Sequence, residues 1–318
     1  MKVIPSPNLE PFVNEQTTKV KMNINDIPIF VSSSDSYADI WPAFFTILKR
    51  EWPEYRGDIY LNTETLDYSF DGLNIVCTKL GPQKSFGKTF LNGIDMIKGD
   101  NFLLFMIDYF IEKRVDTKTL QEIYDKFNSD QIDAFVLMSW PYGFKAIPSH
   151  PKYSYLVPED CWRIMFSFQI AFWKKSSLSR LIATWEDPWL AEWFGSKRAA
   201  MYDMKFYVLS SCDDMPIKYD AAGVLHGGGK WLDSAIKKIN LKGVPLDLRK
   251  SRRDYFSEPT NQVFAFVARE VRIAPKKLLS WVQVAATCPS AIKFVWLEFV
   301  LKAKKLLHFI IHRKVVVP

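Results

Sequence analysis

Short apolar runs alternate with amphipathic stretches over the first two-thirds of the chain. Runs of apolar, β-branched and aromatic residues are typical of buried strands, and they occur at Ile27–Val31, Asp58–Asn62, Leu73–Thr78, Phe102–Ile107, Asp133–Met138 and Phe206–Leu209. Apolar residues at helical spacing predict helices over residues 38–49, 85–97, 115–127, 176–183 and 185–200. Asp116 or Thr117 is the expected cap of the third helix, and Pro188 suits the first turn of the last one.

Strands that alternate with helices form βαβ units, and continuously apolar strands are covered on both faces. The predicted fold is therefore α/β, with a mainly parallel sheet flanked by helices. Residues 165–173 are also strand-like. Residues 139–160 contain four prolines and are predicted to be rich in loops.

Three polar clusters directly follow predicted strands: Ser32–Asp35, residues 62–64 and Asp108. Ligands of open α/β sheets bind beyond the carboxyl ends of the strands, so these clusters are the first candidates for a site. Asp108 can hold a cation bound to a diphosphate, because hard cations prefer oxygen ligands, or it can cap a turn. Asp35 can accept hydrogen bonds from a base or ribose, or its loop can simply cap the helix that follows.

A second group of acids surrounds two tryptophans in residues 185–192, which read WEDPWLAE. A carboxylate beside an indole is partly desolvated, and the raised pKa that results suits a general base. The alternative is a helix N-terminus whose acids complement the helix dipole. This alternative accounts for Glu186 and Asp187, but less well for Glu192, which lies beyond the first turn.

Residues 226–230 read HGGGK and form a third candidate. Glycine amides can cradle a phosphate, Lys230 adds positive charge, and His226 can ligate a metal ion. The spacing differs from that of a P-loop, and a flexible surface loop is the alternative. An amphipathic helix is predicted to follow.

Charge is unevenly distributed along the chain. The net charge is +7, but residues 237–318 carry 17 Lys and Arg against 5 Asp and Glu, a balance of +12 that leaves −5 for the rest. From residue 289 the basic residues are interspersed with aromatic and aliphatic ones, which is typical of a helix in a membrane interface. We expect this tail to contact the inner membrane surface, and a helix packed on the body is the alternative. No nucleic-acid partner is expected, because no reading motif accompanies the charge.

Composition disfavours several other classes of protein. Apolar residues make up 48% and charged residues 24% of the 318 residues, which excludes a disordered chain. Four widely spaced cysteines without a CxxC pair, and four histidines without HExxH, disfavour a zinc enzyme or a disulfide framework. The first 25 residues lack the apolar core of a secretory signal, and no apolar run is long enough to span a membrane. The expected location is cytoplasmic and peripheral on the inner membrane face.

Several stretches resemble the GT-A-type glycosyltransferases of bacterial capsule and lipopolysaccharide gene clusters. They are SSSDSYADIWPAFFTILKREWP with IYLNTE, FLLFMIDYFIEKRVD, SFQIAFWKKSSL, EDPWLAEWFGSKRA and HGGGKW, and they occur within residues 27–232 in the family's order. The resemblance implies a GT-A-like domain over residues 26–236, after a polar leader (1–25) and before a basic, partly amphipathic helical region (237–318). It also implies that a sugar moves from a nucleoside diphosphate sugar, with a UDP-sugar as first expectation, to a cell-surface glycan or lipid-linked acceptor.

The resemblance further implies roles for single residues. Glu192 would be the catalytic base, with Asp187 as second choice. The donor-binding and metal-binding residues would be Ser32, Asp35, Gly87, Lys88, Gln169, Trp173 and Lys230, with Asp108 and His226 as metal ligands.

Two departures from the family pattern bear on the chemistry. The acidic motif reads Asp108-Tyr109-Phe110 and lacks the second aspartate of a DxD, so dependence on a divalent cation, Mn or Mg, stays open. Relatives tend to carry a Trp and an Arg where this chain reads KSFGK at 84–88. A catalytically inactive protein of the same fold that binds a nucleotide sugar or a glycan is the alternative function.

Overall fold

A nine-stranded sheet organises the part of the chain that the structure describes. This computed structural model describes residues 22–82, 85–139, 146–158, 165–226, 230–244, 246, 275–284 and 286. In chain order the strands are β1 (Ile29–Ser32), β2 (Asp58–Leu61), β3 (Asn74–Cys77), β4 (Asn101–Met106), β5 (Ala134–Ser139), β6 (Ala146–His150), β7 (Tyr153–Leu156), β8 (Ala171–Lys174) and β9 (Phe206–Leu209). Their order across the sheet is β3-β2-β1-β4-β8-β5-β9-β7-β6.

The sheet is mixed, although most of its strands run in one direction. The pairings β3-β2, β2-β1, β1-β4 and β5-β9 are parallel. Strand β8 is antiparallel to β4 and β5, and β7 is antiparallel to β9 and β6. Only β7 and β8 therefore run against the other seven strands of this sheet. The reversal of β7 follows from its two-residue connection to β6, because so short a turn joins only antiparallel strands.

Helices flank the sheet in the order that the sequence predicts. They are α1 (Trp41–Glu51), α2 (Phe86–Asp95), α3 (Thr117–Ser129), α4 (Lys175–Leu178), α5 (Pro188–Met201) and α6 (Asp233–Leu241). The side chain of Asp116 caps α3 by accepting the amide hydrogen of Thr119, as predicted. A further helical segment covers residues 275–284.

The core lies between these helices and the sheet. Every residue of β1 is buried, as expected for a strand inside a parallel block. On α1 the predicted apolar face is also the buried one, with Trp41, Phe44, Phe45 and Leu48 turned inward. Edge-to-face aromatic contacts join the layers: the ring of Phe30 lies 5.3 Å from that of Phe90 and 6.4 Å from that of Phe102.

Two predicted elements are wrong. The loop-rich region 139–160 contains the hairpin of β6 and β7, whose alternation is obscured because prolines occupy an exposed edge strand. The strand predicted over 165–173 is confined to Ala171–Lys174. Residues 166–170 pack as buried coil beside α5 instead, with the amide of Phe166 donating to Ser196.

Contacts among the described residues cross both predicted domain limits, which stay predictions. Residues 1–21 of the leader lie outside the described residues, but Ile24 is buried and its amide donates to Gln121 on α3. The limit at residue 236 falls inside α6, and the Lys242 ammonium bonds the carbonyls of Ile111 and Glu112. The start of the basic region therefore belongs to the body. Its tail from residue 287 lies outside the described residues.

The helices of the described residues are short relative to the thickness of a bilayer. None of these helices is both long enough and apolar enough to cross a bilayer.

Candidate functional site

The predicted polar clusters meet at one edge of the sheet. The amide of Ile107, just after β4, donates to the carbonyl of Ser32 at the end of β1 (3.1 Å). The amide of Asn62, just after β2, donates to Val31 (3.0 Å). Because β1, β2 and β4 are parallel, their carboxyl ends lie side by side, where ligands of such sheets bind.

Asp108 is an ionisable group held in apolar surroundings at this edge. Burial raises the pKa of its carboxyl from 3.8 to about 6. A hydrogen bond from its own backbone amide lowers the pKa, but by less. A short loop covers the side chain: Val224 donates its amide to the Asp108 carbonyl (2.9 Å), and a β-carbon on Gly223 would lie 2.7 Å from Oδ2. Gly223 has a φ of +75°, so glycine allows both the turn and the close approach.

Tyr109, Gln169 and Tyr219 form a hydrogen-bonded group next to Asp108. The Gln169 amide group donates to the Tyr109 hydroxyl (2.9 Å) and to the Ala221 carbonyl (3.3 Å). Its oxygen accepts from the Tyr219 hydroxyl (3.0 Å), which itself accepts the Ile170 amide hydrogen (3.2 Å). Gln169 is thereby fixed at the sheet edge with its amide orientation defined.

Glu192 on α5 approaches the same group from the other side. Its Oε1 accepts the amide hydrogen of Phe168 (2.9 Å), and burial raises the pKa of the carboxyl. Burial likewise raises the pKa of the Tyr109 phenol well above its usual value, and the negative charges of Asp108 and Glu192 raise it further. Among the described residues, no Lys or Arg forms an ion pair with either carboxylate. Tyr109 is thus close enough to both acids for their charges to raise its pKa.

Asp35 is occupied in holding a loop. Its carboxylate accepts the amide hydrogens of Glu64, Thr65 and Leu66 and the hydroxyl of Thr65, at 2.7–3.2 Å. Burial alone would raise the pKa of Asp35, but these hydrogen bonds together lower it. In return, the Asp35 amide donates to the Glu64 carboxylate, whose pKa is raised mainly by burial. Asp35 therefore holds the loop after β2 and does not cap the helix that follows it. Its contact with a base or ribose stays a prediction.

Asp187 has the structural role that the sequence offered as the alternative to catalysis, at a helix N-terminus. It is the N-cap of α5, and its Oδ1 accepts the amide hydrogen of Leu190 (2.9 Å). Its neighbour Glu186 is buried in an ion pair with Arg198 (2.7 Å). Of the three acids in this stretch, Glu192 is the one whose carboxylate neither caps the helix nor forms an ion pair among the described residues.

Gly87 fills a packing position rather than a donor-binding one. Its amide donates to the Glu186 carbonyl (2.9 Å), and a β-carbon would lie 2.1 Å from the Ala183 carbonyl oxygen. A buried amide that is already bonded is not available to a phosphate, so the structure gives the predicted donor-binding role of Gly87 no support. Lys88, the next residue of α2, is exposed.

Trp173 lies at the wrong edge of the sheet for its predicted role. Strand β8 runs against β4, so Ala171 pairs with Leu104 and Trp173 with Phe102. Gln169 therefore precedes β8 at the carboxyl edge of β4, whereas Trp173 is roughly 13 Å further along, at about 3.3 Å per residue. The indole is fully buried between Phe166 and Phe206. It is a core residue.

The HGGGK stretch is a narrow hairpin in its described parts. Leu225–His226 pairs antiparallel with Lys230–Trp231, and the amide of Leu232 donates to the carbonyl of Val224 (3.0 Å). Since Val224 also bonds Asp108, the backbone of this hairpin is fixed beside the acid. The side chains of His226 and Lys230 and residues 227–229 lie outside the described residues.

Asp108 by itself is one metal ligand and not a cage. No group of three or more His, Cys, Asp or Glu suited to a metal ion occurs among the described residues. Phe110, at the position of a second acid, is buried against Trp231 and Phe44. A divalent cation could use Asp108 only if a diphosphate supplied further oxygen ligands.

Several residues of this site were not singled out by the sequence. Tyr109 was visible only as the residue after Asp108, and Tyr219 and Gly223 carried no motif. A surface cavity of about 320 Å³ lies elsewhere, at the start of α3, and none of these residues lines it. Its lining includes Lys113, Arg114, Lys152 and Asp213.

Comparison with known proteins gives only distant likenesses. No protein-family model and no curated protein matches the sequence. The crystal structure of S. aureus TarS is similar over 58% of this chain and 35% of its own length, with 12% identity and a TM-score of 0.38. A crystal structure of apo UDP-glucose pyrophosphorylase is similar over 69% of this chain and 98% of its own, with 9% identity and a TM-score of 0.40. This chain thus spans about a third of the length of TarS. Structural similarities with such low TM-scores support no conclusion about its activity.

Proposed function

We propose that this chain is a glycosyltransferase of GT-A-like fold. It would move a sugar from a nucleoside diphosphate sugar, a UDP-sugar first of all, to a hydroxyl of a glycan or lipid-linked acceptor of the cell surface. The observation that carries the proposal is a pair of carboxylates with raised pKa values, Asp108 and Glu192, whose charges both act on Tyr109 at the carboxyl edge of the parallel strands and which form no ion pair among the described residues. Carboxylates with raised pKa values in such a position are candidates for catalysis.

Glu192 is the proposed base of an inverting transfer. One of its oxygens is held by the Phe168 amide (2.9 Å), which leaves the other to accept a proton. As the acceptor oxygen attacks the anomeric carbon, its proton passes to Glu192. The bond from that carbon to the diphosphate breaks, and the electron pair leaves with the diphosphate. The raised pKa of Glu192 makes it a stronger base than an ordinary carboxylate.

Asp108 is the proposed residue on the diphosphate side. An ionised Asp108 would repel a diphosphate, so it is expected to bind either in its protonated form or together with Mn or Mg. A divalent cation at this position would neutralise charge on the leaving diphosphate. Lys230, His226 and the glycine amides between them are the proposed further contacts. Gln169 and Tyr109 would form hydrogen bonds with sugar hydroxyls. Ser32 and the loop that Asp35 holds would line the nucleotide site.

The test separates binding from chemistry. UDP-glucose, UDP-galactose, UDP-N-acetylglucosamine and the corresponding GDP-sugars and dTDP-sugars would be screened, with and without manganese, for thermal stabilisation of the chain and for release of the nucleotide. With a stabilising donor, we expect Glu192→Gln to lower turnover by about 10²–10⁴ while donor binding persists. Asp187→Asn is the matched control, since asparagine also caps a helix, and it should retain turnover.

Two outcomes would contradict parts of this proposal. Near-normal transfer by Glu192→Gln means that another group is the base. Absence of both stabilisation and release for every donor in the screen removes the transferase proposal itself.

The alternative is a protein of the same fold that binds a nucleotide sugar or glycan without transferring it. The buried Phe110 in place of a second acid favours keeping this alternative. Donor binding without turnover, across lipid-linked and oligosaccharide acceptors, would support it.

A further inference from the structure

One side of α5 carries Glu192 and continues past it toward the start of the helix. Trp189, Glu192 and Ser196 follow one another at i, i+3 and i+7, the spacing that places residues on one side of a helix. The Ser196 hydroxyl accepts the amide hydrogen of Phe166 (2.9 Å). Glu192 accepts that of Phe168 (2.9 Å). The buried coil before β8 therefore covers this side of α5 at its second and third turns, and Trp189 lies on the first turn.

Trp189 is exposed at a fixed position. It is 57% exposed, and every other tryptophan of the described residues is buried or half-buried. The backbone around it is held on both sides, because Asp187 caps the helix by accepting the Leu190 amide hydrogen (2.9 Å) and Leu190 itself is buried. Three residues along a helix correspond to about 4.5 Å of rise and about 60° of rotation. A large, flat apolar side chain thus neighbours the proposed base on its solvent side.

The geometry of an inverting transfer determines the side from which the acceptor approaches. Asp108 is the residue proposed for the diphosphate. In an inverting displacement the attacking oxygen meets the anomeric carbon on the face opposite the leaving group. The acceptor therefore approaches from the side of Glu192, where Trp189 is the neighbouring exposed side chain on α5.

Charge and shape indicate which acceptor fits this surface. Among the described residues, no Lys or Arg forms an ion pair with Glu192, so a negatively charged acceptor would meet an uncompensated like charge. An indole offers a broad apolar face. A neutral pyranose has hydroxyls at its rim and C–H groups on a ring face, so it can stack on the indole while one hydroxyl reaches Glu192. A phosphate or an open-chain polyol has no such face.

We propose that Trp189 binds the acceptor by stacking its indole against the ring of a neutral pyranose, one hydroxyl of which is then directed to Glu192. This inference rests on the proposed function, because it takes Glu192 as the base. It narrows the acceptor from any glycan or lipid-linked hydroxyl to that of an uncharged sugar ring.

The test measures acceptor binding to the full chain without any nucleotide sugar. Saturation-transfer NMR titrations use the methyl β-pyranosides of glucose, galactose and N-acetylglucosamine. Trp189→Leu keeps an apolar side chain but loses the flat ring, so it should weaken binding about tenfold, whereas Trp189→Phe should weaken it under about threefold. The matched control Ile147→Ala removes a side chain that is 54% exposed elsewhere, and it should change binding less than twofold.

Two further ligands test the argument from charge and shape. Methyl β-glucuronide keeps the ring but adds a negative charge, and ribitol keeps the hydroxyls but has no ring. Both should bind the wild-type chain at least about tenfold more weakly than the methyl glucoside, a difference of about 1.4 kcal/mol.

Four results would overturn the inference. One is that the wild-type chain binds none of the three pyranosides. Another is that Trp189→Leu binds them like the wild type, or that Trp189→Phe loses binding equally. A third is that the glucuronide or ribitol binds as tightly as the glucoside. The last is a thermal midpoint lowered by several degrees in Trp189→Leu, which identifies Trp189 as part of the packing of the fold.

Failure of the proposed function gives a different result. In that case no nucleotide sugar stabilises the chain or releases its nucleotide, whatever the pyranosides do. Transfer that depends on Glu192 but is the same in Trp189→Leu as in the wild type would overturn this inference alone.

Discussion

Replacement of Asp108 by asparagine should stabilise the folded protein, and the gain should depend on pH. Burial raises the pKa of this carboxyl from 3.8 to about 6. Above pH 6 the folded state therefore holds a charge that the unfolded chain accommodates more easily in water. Each pH unit between the two pKa values corresponds to about 1.4 kcal/mol, so the ionised group destabilises the folded state by about 3 kcal/mol at pH 7.5.

The sign of the pH dependence follows from the direction of the shift. Below pH 3.8 the carboxyl is protonated in both states and costs no stability. The cost grows as pH rises through the window from 3.8 to 6 and is complete above it. Asparagine has nearly the same shape and stays neutral, so Asp108→Asn should gain about 3 kcal/mol at pH 7.5 and only about 0.6 kcal/mol at pH 4.

Urea unfolding followed by tryptophan fluorescence, at pH 7.5 and pH 4, measures this difference. Asp35→Asn is the matched control at the same sheet edge. Its pKa is lowered by the loop that it holds, so this variant should lose stability at pH 7.5, and the loss should shrink toward pH 4. If Asp108→Asn is less stable than the wild type at pH 7.5, Asp108 has a cationic partner and its proposed role as an uncompensated acid is refuted.

Three further predictions concern other parts of the site and its support. Gly87→Ala should destabilise the fold by at least about 2 kcal/mol in urea unfolding, because its β-carbon would lie 2.1 Å from a backbone oxygen, whereas Lys88→Ala on the same helix should be neutral. Arg198→Met should lower the free energy of unfolding by about 3–5 kcal/mol, because Glu186 would stay buried without its partner. Lys238→Met breaks an exposed ion pair and should lower it by under ~1 kcal/mol. Similar losses for both variants would contradict the importance of burial for the first pair. The acidic limb of transferase activity should lie above pH 4.5, because the pKa of Glu192 is raised, and a rate that stays constant well below that pH would exclude Glu192 as base.

Local patterns predicted most strands and helices of this chain. Buried positions are occupied by apolar residues. The apolar runs of β1, β4, β5 and β9 and the apolar face of α1 were therefore all recognisable from the sequence. Caps and turns are also local: Asp116 and Pro188 begin their helices where their chemistry predicts. Periodicity failed where prolines interrupt an exposed edge, as in the hairpin of β6 and β7.

The candidate site was only partly predictable, because its residues depend on partners far away in the chain. Asp108 and Glu192 were expected at a common edge, and the charges of both act on Tyr109. Asp35 and Asp187 were also candidates by sequence, yet the Asp35 carboxylate accepts backbone amides 29–31 residues away and Asp187 caps its own helix. A carboxylate's availability depends on which donors the fold brings to it.

Sequence alone determined the order of the elements, the acidic body with its basic end, and the set of acids from which a site could be built. Only the tertiary structure decided that β8 runs backward, which puts Gln169 at the site edge and Trp173 in the core at the opposite one. It also decided that residues 275–284 turn their polar side inward and their leucines outward. The physical reason is that strand direction, ion pairing and helix orientation are set by contacts between distant segments, which no local pattern of residues records.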